Sequence, residues 1–240
     1  MSLATLLDLF KPHAAPPVTQ PVKPPIDPPP AVAVRTGPWR NWLAILTSCG
    51  TTLTTASKWE AAFRTRVLPG TMDDGAMAHF LGQCLHETNM FQRLQEDLHY
   101  TASRMMTVWP SRFPNVESTT GLTMNPRALA ERVYGGRLGN DLPGDGFAYR
   151  GRGFPMITGK DNYEALQAET GDPLVDFPDL LLTPDVALRC GLVWFSRNIS
   201  GTIESVEDVT QIVNGGQTGI EDRRRLTAAA QRALLANPWK

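Results

Sequence analysis

Two carboxylates stand nine residues apart in this chain, the first at the end of an apolar run. Glu87 closes the run His79-Phe80-Leu81-Gly82-Gln83-Cys84-Leu85-His86-Glu87, and Glu96 follows in Gln95-Glu96-Asp97-Leu98-His99-Tyr100. Apolar neighbours penalise the ionised form of a carboxyl, and a protonated acid is what a glycosidic leaving oxygen requires. A second, ionised carboxylate would then activate water. A lone glutamate at a helix end is more often simply solvated, so geometry has to decide. On one continuous helix, nine residues span about 13.5 Å, and the two side chains point to opposite faces. An inverting hydrolase holds its carboxyls roughly 6.5–9.5 Å apart. Cooperation therefore requires the chain to turn between Phe91 and Glu96.

Two further blocks could serve the same chemistry. Tyr149-Arg150-Gly151-Arg152-Gly153 leads through Met156 and Thr158 to Asn162-Tyr163. Gly-Arg-Gly is backbone that a ligand can approach closely, next to guanidinium donors. The two tyrosines offer flat faces for sugar rings. A tight loop with a surface arginine is the plainer reading. The last block is Asn214-Gly215-Gly216, with Asp222 and Arg223 after it. By itself Asn-Gly-Gly is only a turn.

The elements that must position these residues are helical. Helices are expected over Trp39–Leu46, Ala56–Val67, Met77–Phe91, Thr101–Trp109, Asn125–Tyr134, Lys160–Glu169, Thr183–Asn198, Val206–Asn214 and Ile220–Leu235. Trp59, Ala62, Phe63 and Val67 form one apolar stripe. Thr101 is a good N-cap, and Asn125-Pro126 a good Ncap–N1 pair. Alternating strand patterns are scarce, so the class is mainly α.

Ahead of this body, residues 12–38 hold ten of the twenty prolines. Such a segment reads as an extended, semi-rigid linker. In Met1–Lys11, Leu3, Leu6, Leu7 and Phe10 share one helical face. This short amphipathic helix either packs loosely or docks on a partner or membrane surface.

Bulk properties exclude several classes. The chain has 240 residues and a formal net charge of −1, so nucleic acid is not an expected partner. Its three cysteines, Cys49, Cys84 and Cys190, form no CxxC pair; neither a disulfide scaffold nor a zinc site is indicated. No run of about eighteen apolar residues suggests a membrane helix, and no basic n-region suggests a Sec signal peptide.

Taken together and in order, the blocks resemble glycoside hydrolase family 19, the chitinase-like family, and especially its phage-type endolysins. The resemblance runs from about Leu43 to Leu235. It implies a lysozyme-like, two-lobed α-helical domain over 39–240, with a substrate cleft and at most a small β-hairpin. It implies inverting hydrolysis of β-1,4 bonds beside N-acetylated sugars in peptidoglycan or a chitin-like glycan, by a monomer without metal or cofactor. Glu87 matches the family's general acid and Glu96 its water-activating base. Substrate contacts fall by position on His86, Tyr149, Arg152, Met156, Thr158, Asn162, Tyr163 and Asn214, with Arg223 near the acid. Met156 departs from the family pattern, which has glutamine there; one lost neutral hydrogen bond is worth about 0.5–1.5 kcal/mol. An endolysin of this type would be made in the cytoplasm and reach the wall by holin-type release or a secretion machine. A chitinase on the same fold, or a glycan-binding module with little turnover, are the alternatives.

Overall fold

The computed structural model describes residues 38–199 and 205–240. The helix expected over Met1–Lys11, and the proline-rich segment up to Gly37, lie outside the described residues. Ten α-helices occur among them: α1 Trp42–Ser48, α2 Leu53–Arg66, α3 Asp74–Glu87, α4 Ala102–Val108, α5 Pro126–Tyr134, α6 Asp145–Ala148, α7 Lys160–Thr170, α8 Pro184–Asn198, α9 Val206–Asn214 and α10 Ile220–Ala236. Short 3-10 turns at Glu117–Thr119 and Pro178–Leu182 join them. Extended pairing among the described residues is confined to two antiparallel bridges, Gln95 with Arg152 and Arg152 with Ile157. The fold is mainly α.

Most helix starts are written by a capping side chain. Asn41, Thr52, Asp73, Thr101, Asn125 and Ser205 each accept the N–H three residues on, which satisfies one of the orphan donors of a first turn. These caps correct three expected boundaries. Asn41 delays α1 to Trp42, Thr52 starts α2 at Leu53, and Asp73 starts α3 at Asp74. The short helix α6 and the two 3-10 turns carry no periodic apolar stripe and were not expected.

Helix α3 is the central element. Phe80, Leu81, Cys84 and Leu85 are buried, and α10 packs along it. The close approach depends on Gly82, where a Cβ would stand 2.9 Å from the backbone N of Thr227. Around this pair, α1, α2 and α8 complete the largest apolar cluster, which includes Trp42, Trp59, Phe63, Phe80 and Phe195. The expected stripe on α2 faces this core, with Trp59, Ala62, Phe63 and Val67 all buried. Arg66 ties α2 to the first turn of α8 through both Asp185 oxygens, at 2.7 and 2.5 Å.

Two smaller clusters flank the main one. Tyr149, Tyr163, Leu166, Leu181 and Cys190 gather α7, the start of α8 and the loop before α7. Leu98, Met105, Phe113, Leu129 and Val133 gather α4 and α5. The segment Glu87–Tyr100 runs from the first body to this last one. The three cysteines are free and buried.

Candidate active site

The end of α3 carries the local structure on which the site depends. Thr88 caps the helix: its hydroxyl donates to Cys84 O at 2.6 Å and accepts the Phe91 N–H at 2.9 Å. The next three residues, Asn89, Met90 and Phe91, have φ of 48°, 60° and 62°. Left-handed backbone costs roughly 1–2 kcal/mol per non-glycine residue, so three in a row need compensation. Phe91 supplies part of it. Its ring is 6% exposed and stacks on Trp59 at 4.2 Å between centroids. The turn thus begins at Thr88, earlier than the position after Phe91 expected from helix geometry. The difference arises because α3 stops at Glu87.

Beyond the turn the chain pairs with the Gly-Arg-Gly loop. Gly153 N donates to Leu94 O at 2.8 Å, and Glu96 N donates to Gly151 O at 3.0 Å. The Glu96 carboxylate is fixed as well. It accepts the Gly151 N–H at 2.6 Å on Oε1 and the Tyr134 hydroxyl at 2.8 Å on Oε2. Burial, then the Glu96 charge and hydrogen bond, push the Tyr134 phenol well above its ordinary range, so it remains a donor. Gly151 is a glycine for a spatial reason. A Cβ there would meet Thr158 Oγ1 at 3.2 Å and Glu96 Cδ and Oε1 at 3.3 Å. Thr158 therefore stands beside the carboxylate, with its hydroxyl donating to Met156 O at 3.0 Å. Asn162 is exposed and donates from its amide to Thr158 O at 2.7 Å.

Glu87 belongs to a second network, between α3 and α10. Arg223, 1% exposed, donates to Glu87 Oε1 and to Gln83 Oε1, one helical turn earlier on the same face. Its Nε donates to Thr218 O at 3.1 Å. Gln83 in turn donates to Thr210 Oγ1 on α9 at 3.0 Å. The acid is therefore not enclosed by apolar groups alone, as its sequence neighbours suggested; a buried guanidinium reaches it from 136 residues away. His86 turns to Asp222, with Nδ1 and Oδ2 2.8 Å apart. Burial opposes the ionised form of Asp222, but hydrogen bonds from His86 and Arg225 outweigh it and lower its pKa.

A cavity of about 360 Å³ opens beside Glu96. Arg93, Gln95, Leu98, His99, Phe147 and Arg150 line it with the carboxylate, and Glu87 is not in this wall.

Several expected substrate contacts lie elsewhere. Tyr163 is fully buried and Tyr149 is 7% exposed; their rings pack edge to face at 5.3 Å, so neither offers a face to a sugar. Their hydroxyls are used internally, Tyr163 donating to Arg150 O at 2.8 Å and Tyr149 to Val175 O at 3.1 Å. Arg152 is also buried, bound to Ala148 O, the Tyr163 hydroxyl and Asp179. These three residues build the loop that holds Glu96, and they act through its backbone. Met156 sits half-buried at the tip of that loop with φ 69°. Asn214 is the exposed last residue of α9. Sequence reasoning missed Tyr134, Gln83 and Asp222 as site residues. Only Asp222 had a local signal, its place in the first turn of α10.

No family model matches the sequence. A Haemophilus influenzae protein described as a glycosyl hydrolase family 19 domain-containing protein is 34% identical over 162 residues, which are 67% of this chain and 80% of that protein. Among solved structures, a substituted form of chitinase C shares the fold with a TM-score of 0.50 at 16% identity, over 81% of this chain and 77% of that one. Chitinase C from Streptomyces griseus gives 0.46 at 17% identity, over the same shares. With about a third of the 162 aligned residues identical, across four-fifths of the Haemophilus influenzae relative, this chain belongs to glycoside hydrolase family 19 and is a glycoside hydrolase.

Proposed function

We propose that the chain hydrolyses β-1,4 glycosidic bonds of bacterial peptidoglycan by a single inverting displacement. Glu87 donates its proton to the leaving oxygen. Water attacks the anomeric carbon from the opposite face and gives its proton to Glu96. Solvent then restores both carboxyls. The observation that carries this reading is the clamp on Glu96. Two donors hold the carboxylate beside an open cavity and occupy two of its roughly four acceptor sites, which leaves the others for a water. Thr158 is close enough to help orient that water. Glu87 stands outside the wall of that cavity, at the end of α3 where Arg223 of α10 holds it. On the same reading, the protein is made in the cytoplasm and reaches the wall by holin-type release or a secretion machine. Residues 1–38 then serve as its arm and linker.

General acid–base groups contribute about 10²–10⁴ in rate each. Glu87→Gln and Glu96→Gln are therefore expected to fold and to release almost no soluble fragments from purified peptidoglycan. Wild-type release by either variant would sink the assignment. Proton NMR of early products should show the α-anomer. Mass spectrometry of products from peptidoglycan and from chitin oligomers distinguishes this substrate from a neutral one.

A further inference from the structure

The cavity beside Glu96 is lined by two acids, Glu96 and Asp97, and by two arginines, Arg93 and Arg150. Arg40, Arg66, Arg152, Arg189 and Arg223 each meet a carboxylate. Arg93 and Arg150 line the cavity, and among the described residues neither has an ion-pair partner. Arg150 is half-buried. It donates to Phe147 O at 2.8 Å and to Gln95 Oε1 at 2.7 Å, both neutral acceptors. Its guanidinium lies 4.1 Å from the centroid of the Phe147 ring, and that of Arg127 lies 4.7 Å from the same ring. Burial, followed by the charge of Arg152, works against the Arg150 cation, while the charges of Asp179 and Glu96 favour it without a direct ion pair. The second acid in the wall, Asp97, is engaged by the His99 backbone N–H at 3.0 Å and ring nitrogen at 2.8 Å, and it also feels the charge of Arg93 without a direct contact.

Neutral sugar hydroxyls do not call for this arrangement. A planar guanidinium fork matches a carboxylate, and the pairing is among the stronger hydrogen-bonded contacts. Two of the five Arg150 N–H groups are used, and the Nε group is buried; two on the terminal nitrogens are left for a ligand. We infer that Arg150, supported by Arg93 and Arg127, determines specificity by binding a carboxylate carried by the glycan, on the lactyl ether of an N-acetylmuramyl sugar or on the peptide attached to it. The inference rests on the peptidoglycan reading and names the feature of that substrate which the cleft selects. Arg150 directly precedes Gly151, so an anion held there places its sugar next to the carboxylate that activates water.

The test uses soluble peptidoglycan fragments in two forms, one with free carboxylates and one with them converted to methylamides, beside a neutral chitin hexamer. Wild-type protein should show a KM about ten-fold lower for the free form, the effect of one charge-assisted contact. Arg150→Gln should abolish this preference. Arg150→Lys should restore part of it, because charge returns without the fork. Arg93 is exposed, so Arg93→Gln gives a readout free of folding effects and should weaken the preference. Equal KM for both forms in the wild type would overturn the inference. So would an unchanged preference in both glutamine variants. Cleavage of chitin with none of either peptidoglycan form would instead overturn the substrate reading itself, and the inference with it.

Discussion

Gly151 grips Glu96 twice. Its N–H donates to the Glu96 carboxylate at 2.6 Å, and its carbonyl accepts the Glu96 N–H at 3.0 Å. One residue without a side chain thus sets both the backbone and the functional end of the proposed base. Gly151→Ala places a Cβ 3.3 Å from that carboxylate and forces it aside by a few tenths of an ångström. The expected result is a fall in kcat of about ten-fold or more with KM changed much less. Steady-state kinetics on purified wall fragments measures the split, and a change confined to KM would contradict the placement of Glu96.

Tyr134 is the other jaw of the clamp. Tyr134→Phe keeps the packing and removes the donor to Oε2. A hydrogen bond to a charged group is worth about 1.5–3 kcal/mol, so kcat/KM should fall roughly ten- to a hundred-fold while the thermal midpoint moves little. A stability loss without a kinetic one would show that the phenol is structural only.

Stability should decline on acidification in two stages. Burial lowers the pKa of His79, so the native state holds it neutral where the unfolded chain protonates. That contribution is present above about pH 6.5 and is lost as pH falls below it. Hydrogen bonding from Arg66 lowers the pKa of Asp185 against the opposing effect of burial. Its contribution is present above the ordinary carboxylate range and is lost as pH falls through and below it. Urea midpoints from about pH 7.5 to pH 5.5 should drop in the wild type and drop less in His79→Gln. An identical slope in both would remove His79 from the account.

Phe91→Ala empties a buried ring site against Trp59 and Phe63. Loss of about 3–5 kcal/mol is expected, with activity falling further than the folded fraction explains, because the turn toward Glu96 loses its anchor. Phe91→Leu should recover most of the stability. Thermal melts and activity per folded molecule separate the two effects.

Much of this was legible in the sequence. Asn125-Pro126 and Thr101 announced their helices through caps, and Trp59, Ala62, Phe63 and Val67 announced a core face through periodicity. The acid pair and the Gly-Arg-Gly loop were visible because their residue types suit one chemistry. What stayed hidden depends on distance along the chain. Tyr134 reaches Glu96 from α5 with no local pattern to signal it, and Arg223, which reaches Glu87 from another helix, was placed near the acid by the family resemblance alone. Tyr149 and Tyr163 misled for a related reason. An aromatic ring with a hydroxyl suits both a sugar platform and a core with a polar partner, and here the hydroxyls found backbone carbonyls inside. Of the three left-handed residues after Thr88, only Asn89 is a type that favours that region, and nothing in the identity of Met90 or Phe91 gave them away.

Those three residues give the molecule a built-in ruler. The stretch from α3 to Glu96 is measured out by a ring stacked on Trp59, inside the core and away from the cleft. On the proposed mechanism, the position of the base is therefore calibrated by a packing contact. Insertions or deletions between Thr88 and Gln95 should be harder for this lineage to accept than changes in the cavity wall. Core substitutions scored as mere loss of firmness should include some that mis-set the reacting groups in a protein that still folds.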